Sequence, residues 1–141
     1  MKAFHFRLDR VLDWRRTELD LEESRLKQLH AAIALLDRER AALEAARDAA
    51  VRAVVSQDAV DGAELQALSS YRAAVRLQSA RLVQKRRERE AELVRQQQKL
   101  LEARRRMRLL ENLKDRRRVE WNYEMERQAT GEENGPRRAH R

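Results

Sequence analysis

The chain has 141 residues, of which 40% are charged and only 4% aromatic, with three Gly, one Pro and a net charge of +8. So few large apolar side chains cannot fill a compact globular core, while a composition with so few helix breakers favours long exposed helices. With no Cys, neither a disulfide, a thiolate nucleophile nor a Cys-based metal site is available.

The first residues, Met1-Lys2-Ala3-Phe4-His5-Phe6-Arg7, lack the apolar core of a signal peptide. No apolar run approaches the roughly 18 residues a membrane span requires. A cytoplasmic protein is expected, at most peripheral to a membrane. A helix is expected over about 4–56. Spacing of three and four selects Leu8, Leu12, Leu19, Leu26, Leu29, Ile33, Leu36, Leu43, Ala50 and Val54, interrupted at Arg15, Glu22, Arg40 and Arg47. This is a coiled-coil seam, and Val11, Leu21 and Leu35 widen it toward an ordinary amphipathic stripe.

Periodicity stops over 57–62. Asp61-Gly62-Ala63-Glu64 reads as a capping box, the Asp oxygen accepting from free backbone N–H groups and Glu64 reaching back. A second helix is expected over about 63–129. Its seam runs through Leu65, Leu68, Val75, Leu82, Leu93, Leu100, Ala103, Met107, Leu110 and Trp121, with polar positions at Arg72, Ser79, Arg86, Arg89 and Gln96. Gly131, Gly135 and Pro136 suggest a flexible tail over 131–141.

One short loop makes the helices antiparallel, so the fold class is all-α, two long helices in an antiparallel coiled-coil hairpin over 1–130. Pairing about the turn sets opposite one another residues whose numbers total about 118, which places Leu8 near Leu110. Phe4, Phe6, Trp14, Trp121 and Tyr123 then gather at the end that holds both termini.

Catalytic chemistry finds little support. His5, His30 and His140 are scattered without a ligand set, three glycines cannot build a phosphate loop, and a two-helix hairpin offers no dry pocket. The expectation is a non-enzyme without cofactor, metal or catalytic residues. The charge is uneven: residues 1–80 balance at 13 basic and 13 acidic, while 81–118 hold 15 basic and 6 acidic. The runs Lys85-Arg86-Arg87, Arg104-Arg105-Arg106 and Arg116-Arg117-Arg118 fit a solvated helix face, an acidic protein partner or, with least support, nucleic acid. The last lacks interleaved aromatics and any recognised motif. The aromatic cluster seals the end of the hairpin, forms a docking surface, or does both.

Two terminal motifs carry a resemblance. Phe4-x-Phe6-x-Leu8-x-x-Val11-Leu12-x-x-Arg15 resembles the opening of the flagellar export protein FliJ family. Leu109-Leu110-Glu111-x-Leu113-Lys114-x-Arg116-Arg117-x-x-Glu120-Trp121 resembles its closing signature. Gly131-Glu132-Glu133-Asn134 departs from the Asp-Glu motif that the family often carries there.

The resemblance implies a cytoplasmic component of the bacterial flagellar type III export apparatus, like the central stalk of rotary ATPases. The implied partners are the hexameric export ATPase, the cytoplasmic domain of the export gate and export chaperones. Association with the inner membrane would be peripheral, through the apparatus, and no nucleic acid is expected. Antiparallel pairing brings the first and last basic clusters together, so ATPase-ring binding is expected from Arg7, Arg10, Arg15, Arg16, Arg116, Arg117, Arg118 and Trp121. Leu68-x-x-Tyr71-x-x-x-Val75 is similar to an apolar contact patch of the family and implies gate binding by Tyr71 and Val75. Apart from the resemblance, a generic structural coiled-coil scaffold remains the alternative, and a basic nucleic-acid-binding helical protein a weaker one.

Overall fold

The computed structural model describes residues 2–139, with side chains described through 131. It contains α1 (Asp9–Val55, 47 residues) and α2 (Gly62–Ala139, 78 residues), and no strand among the described residues. The helices pack antiparallel, and the chain divides into a terminal unit, Met1–Glu23 with Lys99–Arg141, and a turn unit, Ser24–Gln98.

Helix α1 begins five residues later than its apolar pattern suggests. Leu8 is the cap, its carbonyl accepting from Leu12 N–H at 2.9 Å, and Asp9 N–H closes a turn onto the Phe6 carbonyl at 3.1 Å. Asp9 in the first turn and Arg52 in the last complement the helix dipole. Residues 2–6 are not helical. The reason lies in Phe4-x-Phe6: two residues apart, these rings share a face only in an extended backbone and diverge in a helix. Burying Phe6 to 7% exposure outweighs another helical turn.

At the other end of α1, Ser56 N–H still reaches the Arg52 carbonyl (3.0 Å) before the chain leaves the helix. Asp61 caps α2: Leu65 N–H donates to its carbonyl at 3.2 Å and Ala63 N–H to its Oδ1 at 3.4 Å. This is the first half of the expected capping box. Helix α2 does not stop at 129. Gly131 has no positive φ, so no left-handed cap forms there, and the Thr130 hydroxyl donates to the Glu126 carbonyl at 2.9 Å. The helix continues to Ala139 across the stretch expected as a flexible tail. Residues 140–141 of that tail lie outside the described residues.

In the terminal unit the seam consists of Leu12, Leu19, Leu100 and Ala103, all buried, with Leu8, Met107 and Leu110 half-buried. Glu22 is buried among them and partnered. Ion pairs bridge the helices beside this seam: Asp9–Lys114 at 2.8 Å, Glu18–Arg106 at 3.3 Å and Glu23–Arg104 at 3.7 Å. In the turn unit Ile33, Val75 and Leu82 are buried, and Leu29, Leu36, Leu43 and Leu93 are half-buried. Arg86 grips Asp37 with two guanidinium nitrogens, at 2.7 and 3.4 Å, and also contacts Glu90. Its pKa is raised, first by the Asp37 hydrogen bond and then by the Asp37 and Glu90 charges. The contact with Asp37 stands where the repeat calls for an apolar side chain on α2.

Two sequence expectations change. Val11, Leu21 and Leu35 do not widen the seam; they are 39%, 50% and 52% exposed. A facing pair of helices covers only a narrow strip of each, and those positions lie outside it. The register also differs. Asp9–Lys114 and Asp37–Arg86 set opposite one another residues whose numbers total 123, so Leu8 lies level with about residue 115 rather than Leu110. The loop between the helices consumes six residues, 56–61, and α2 therefore starts beyond the end of α1, leaving Leu65 at 52% exposure.

Candidate functional site: an aromatic and arginine patch in the terminal unit

The non-helical arm 2–6 lies against α2 where α1 no longer covers it. Phe6 is buried there, and Phe4 packs on Trp121 with ring centroids 6.0 Å apart and planes inclined by 54°. Tilted geometry of this kind sets a positive ring edge against a negative ring face. The Arg118 guanidinium lies over the other partner of this pair, 5.9 Å from the Phe4 ring centre. Just below, Lys114 clamps Asp9, fixing the start of α1 to α2.

Between arm and helix runs an open groove of about 620 Å³. Phe4, Phe6, Leu8, Leu113 and Trp121 form its apolar lining, and Arg7, His5, Arg117, Glu120 and Glu124 its polar rim. No group of three or more His, Cys, Asp or Glu able to hold a metal exists among the described residues. What the groove offers is an amphipathic docking surface: an aromatic floor for an apolar side chain and guanidinium forks for carboxylates.

The expected ring-binding residues divide into three groups. Arg7, Arg117 and Trp121 line the groove, and Arg118 adjoins it on Phe4. Arg10 and Arg116 are exposed, and neither they nor Arg7 make an ion pair among the described residues. Arg15 and Arg16 are already engaged, Arg15 with Glu18 at 2.9 Å and over the Trp14 ring at 4.5 Å, Arg16 with Asp13 at 3.6 Å. Arg117 is held by Glu120 at 3.3 Å, an exposed contact that a competing carboxylate can replace. Trp14 and Tyr123 do not join the cluster; they are 57% and 62% exposed, and Tyr123 carries Arg127 at 5.9 Å instead.

The expected gate contact in the turn unit separates its two residues. Tyr71 is 38% exposed, whereas Val75 is 2% exposed in the seam. A side chain so covered has no surface to offer a partner, so Val75 holds the helices together and Tyr71 alone remains available. Sequence reasoning gathered Phe4, Phe6 and Trp121 at one end but missed the arm that carries the two Phe rings, and with it the Phe6 anchor and the groove. The signal was the two-residue spacing of Phe4 and Phe6 ahead of Asp9, which marks an extended segment before a helix start.

Fold and site thus define an all-α, antiparallel helical hairpin carrying a terminal aromatic and arginine patch. Compared with protein-family models, curated proteins and solved structures, the chain matches none. Among the described residues, no helix is long and apolar enough to cross a membrane.

Proposed function

We propose that this chain is a FliJ-like stalk of a bacterial flagellar type III export apparatus, its terminal patch binding the inner wall of the export ATPase ring. One observation carries the reading. The two motifs that resemble the family lie more than 100 residues apart in sequence, yet their aromatic residues form one patch, Phe4 on Trp121 at 6.0 Å. A sequence pattern that served helix pairing alone has no need to converge on an exposed groove.

Chemistry supports the same assignment. Arg7, Arg10 and Arg116 of the terminal unit make no ion pair among the described residues, and guanidinium groups keep their charge at every physiological pH. A shaft turning within a ring is better served by several exchangeable contacts than by one deep pocket, since exposed pairs contribute only about 0.2–1 kcal/mol each. On this reading Tyr71 contributes to the export-gate contact, export chaperones are recruited, and the protein works at the cytoplasmic face of the inner membrane without crossing it. Affinity capture from the parent cell tests the proposal: a hexameric ATPase co-purifies with the wild-type chain and is lost with Phe4→Ala/Trp121→Ala. Capture of nucleic acid alone, released by salt and indifferent to those substitutions, would refute it.

A further inference from the structure

In the turn unit, the side of α2 turned away from the seam is unlike the outer face of a solitary hairpin. Positions opposite a seam are the wettest, and in an isolated pair of helices they carry charge of both signs. Here three- and four-residue spacing runs Leu77, Ala80, Gln84, Arg87, Ala91 and Val94 along it, with Arg81, Glu88 and Arg95 alongside, so that Glu88 is the one carboxylate among these nine positions. Leu77 and Val94 are 56% and 55% exposed. Arg76, Arg81 and Arg95 flank the row. The ion pairs of this segment engage Arg86 and Arg89, leaving Arg76, Arg81, Arg87 and Arg95 without one among the described residues. Glu88 stands alone against these four, because Glu90 is engaged by Arg86 and Glu92 by Arg89.

We propose that this face docks an acidic amphipathic helix of another protein, which lies along α2 as a third helix. Its apolar residues would cover Leu77, Ala80, Ala91 and Val94, and its carboxylates would meet Arg76, Arg81, Arg87 and Arg95. From 77 to 94 the face is about 25 Å long, the length of a helix of about 17 residues. The small Ala80 and Ala91 between the larger Leu77 and Val94 make a surface into which a facing helix can interdigitate. A phosphate polymer would use the cations but not the apolar row. A second copy of the chain would set four cations against four. An acidic helix satisfies both halves of the face, and this docking is independent of the terminal patch.

The test uses the full chain and a labelled synthetic helix of about 20 residues, with Leu at three- and four-residue spacing and Glu on both flanks, followed by fluorescence anisotropy. The Glu peptide is expected to bind, and a matched peptide with Lys flanks to bind about tenfold more weakly or less. Leu77→Asp/Val94→Asp should weaken the Glu peptide by about tenfold while circular dichroism stays at the wild-type level. Arg87→Ala/Arg95→Ala should weaken it several-fold, and the control Leu21→Asp/Leu35→Asp, altering exposed leucines of α1, should leave it unchanged. Equal binding of the Lys peptide, or undiminished binding to Leu77→Asp/Val94→Asp, overturns the proposal. So does a single-stranded oligonucleotide that binds more tightly than the Glu peptide and is indifferent to Leu77→Asp/Val94→Asp. Self-association in sedimentation that Leu77→Asp/Val94→Asp abolishes would assign the face to a second copy instead.

Discussion

Replacing Phe6 with Ala should release the N-terminal arm without unfolding the helices. Phe6 is the arm's one buried side chain, at 7% exposure, and burying a ring of this kind contributes about 1.5–3 kcal/mol. Against that stands the backbone entropy lost in ordering residues 2–6. The remaining attachments, Phe4 against Trp121 at about 0.5–1.5 kcal/mol and the Arg118 contact at about 0.5–1 kcal/mol, cannot hold the arm by themselves. Trp121 reports the event once Trp14→Phe removes the other indole. In Phe6→Ala its emission should shift to the red and its quenching by acrylamide should rise, with helicity nearly unchanged because residues 2–6 are not helical. Unchanged emission and quenching, or a large loss of helix signal, would refute the placement of Phe6 as the anchor.

Other expectations follow from burial. Leu12→Ala, at 1% exposure, should cost about 2–5 kcal/mol in urea unfolding monitored by circular dichroism, whereas Leu21→Ala, at 50%, should cost under about 1 kcal/mol. Ser79→Ala should stabilise by about 0.5–2 kcal/mol, because the Ser79 hydroxyl is buried in the seam with no hydrogen-bond partner among the described residues and Ala is the better helix former. On the proposed function, Tyr71→Ala should weaken capture of an export-gate cytoplasmic domain in a pull-down with helicity intact, while Val75→Ala, in the seam, should first lower the unfolding midpoint.

The two helices, their antiparallel pairing and the residues of the seam were legible in the sequence because one physical rule governs them. Burial at three- and four-residue spacing recovers every apolar seam position of α1 as buried or half-buried. Where other forces compete, the rule stops. It carried helix 1 back to Phe4, although aromatic burial pulls residues 2–6 into an extended arm. It set the register by folding at the centre of the loop, although the true offset depends on the length and path of residues 56–61. The expected end of helix 2, at about 129, rested on Gly131, which caps a helix in the left-handed conformation, and the backbone does not take that conformation there. Of the candidate site, the meeting of the first and last basic clusters at one end was legible, and the arm and the groove were not. Arg7, Arg117, Arg118 and Trp121 converge as expected, but a 3.6-residue periodicity cannot reveal that Arg15 and Arg16 are occupied by Glu18 and Asp13.

ATPase stimulation by the purified chain is the most direct measurement of the central claim. Arg7, Arg10, Arg116 and Arg118, which carry no ion pair among the described residues, are reversed together to Glu. A second variant reverses Arg47 and Arg52 of the turn unit. Single reversals should do little, since each exposed contact contributes about 0.2–1 kcal/mol, and added salt should weaken the wild-type effect. The fourfold terminal variant should abolish stimulation of the export ATPase with its helicity retained, and the Arg47→Glu/Arg52→Glu variant should stimulate nearly as wild type. Stimulation that survives the terminal reversals and disappears with those near the turn would contradict the assignment of the ring-binding site to the terminal patch.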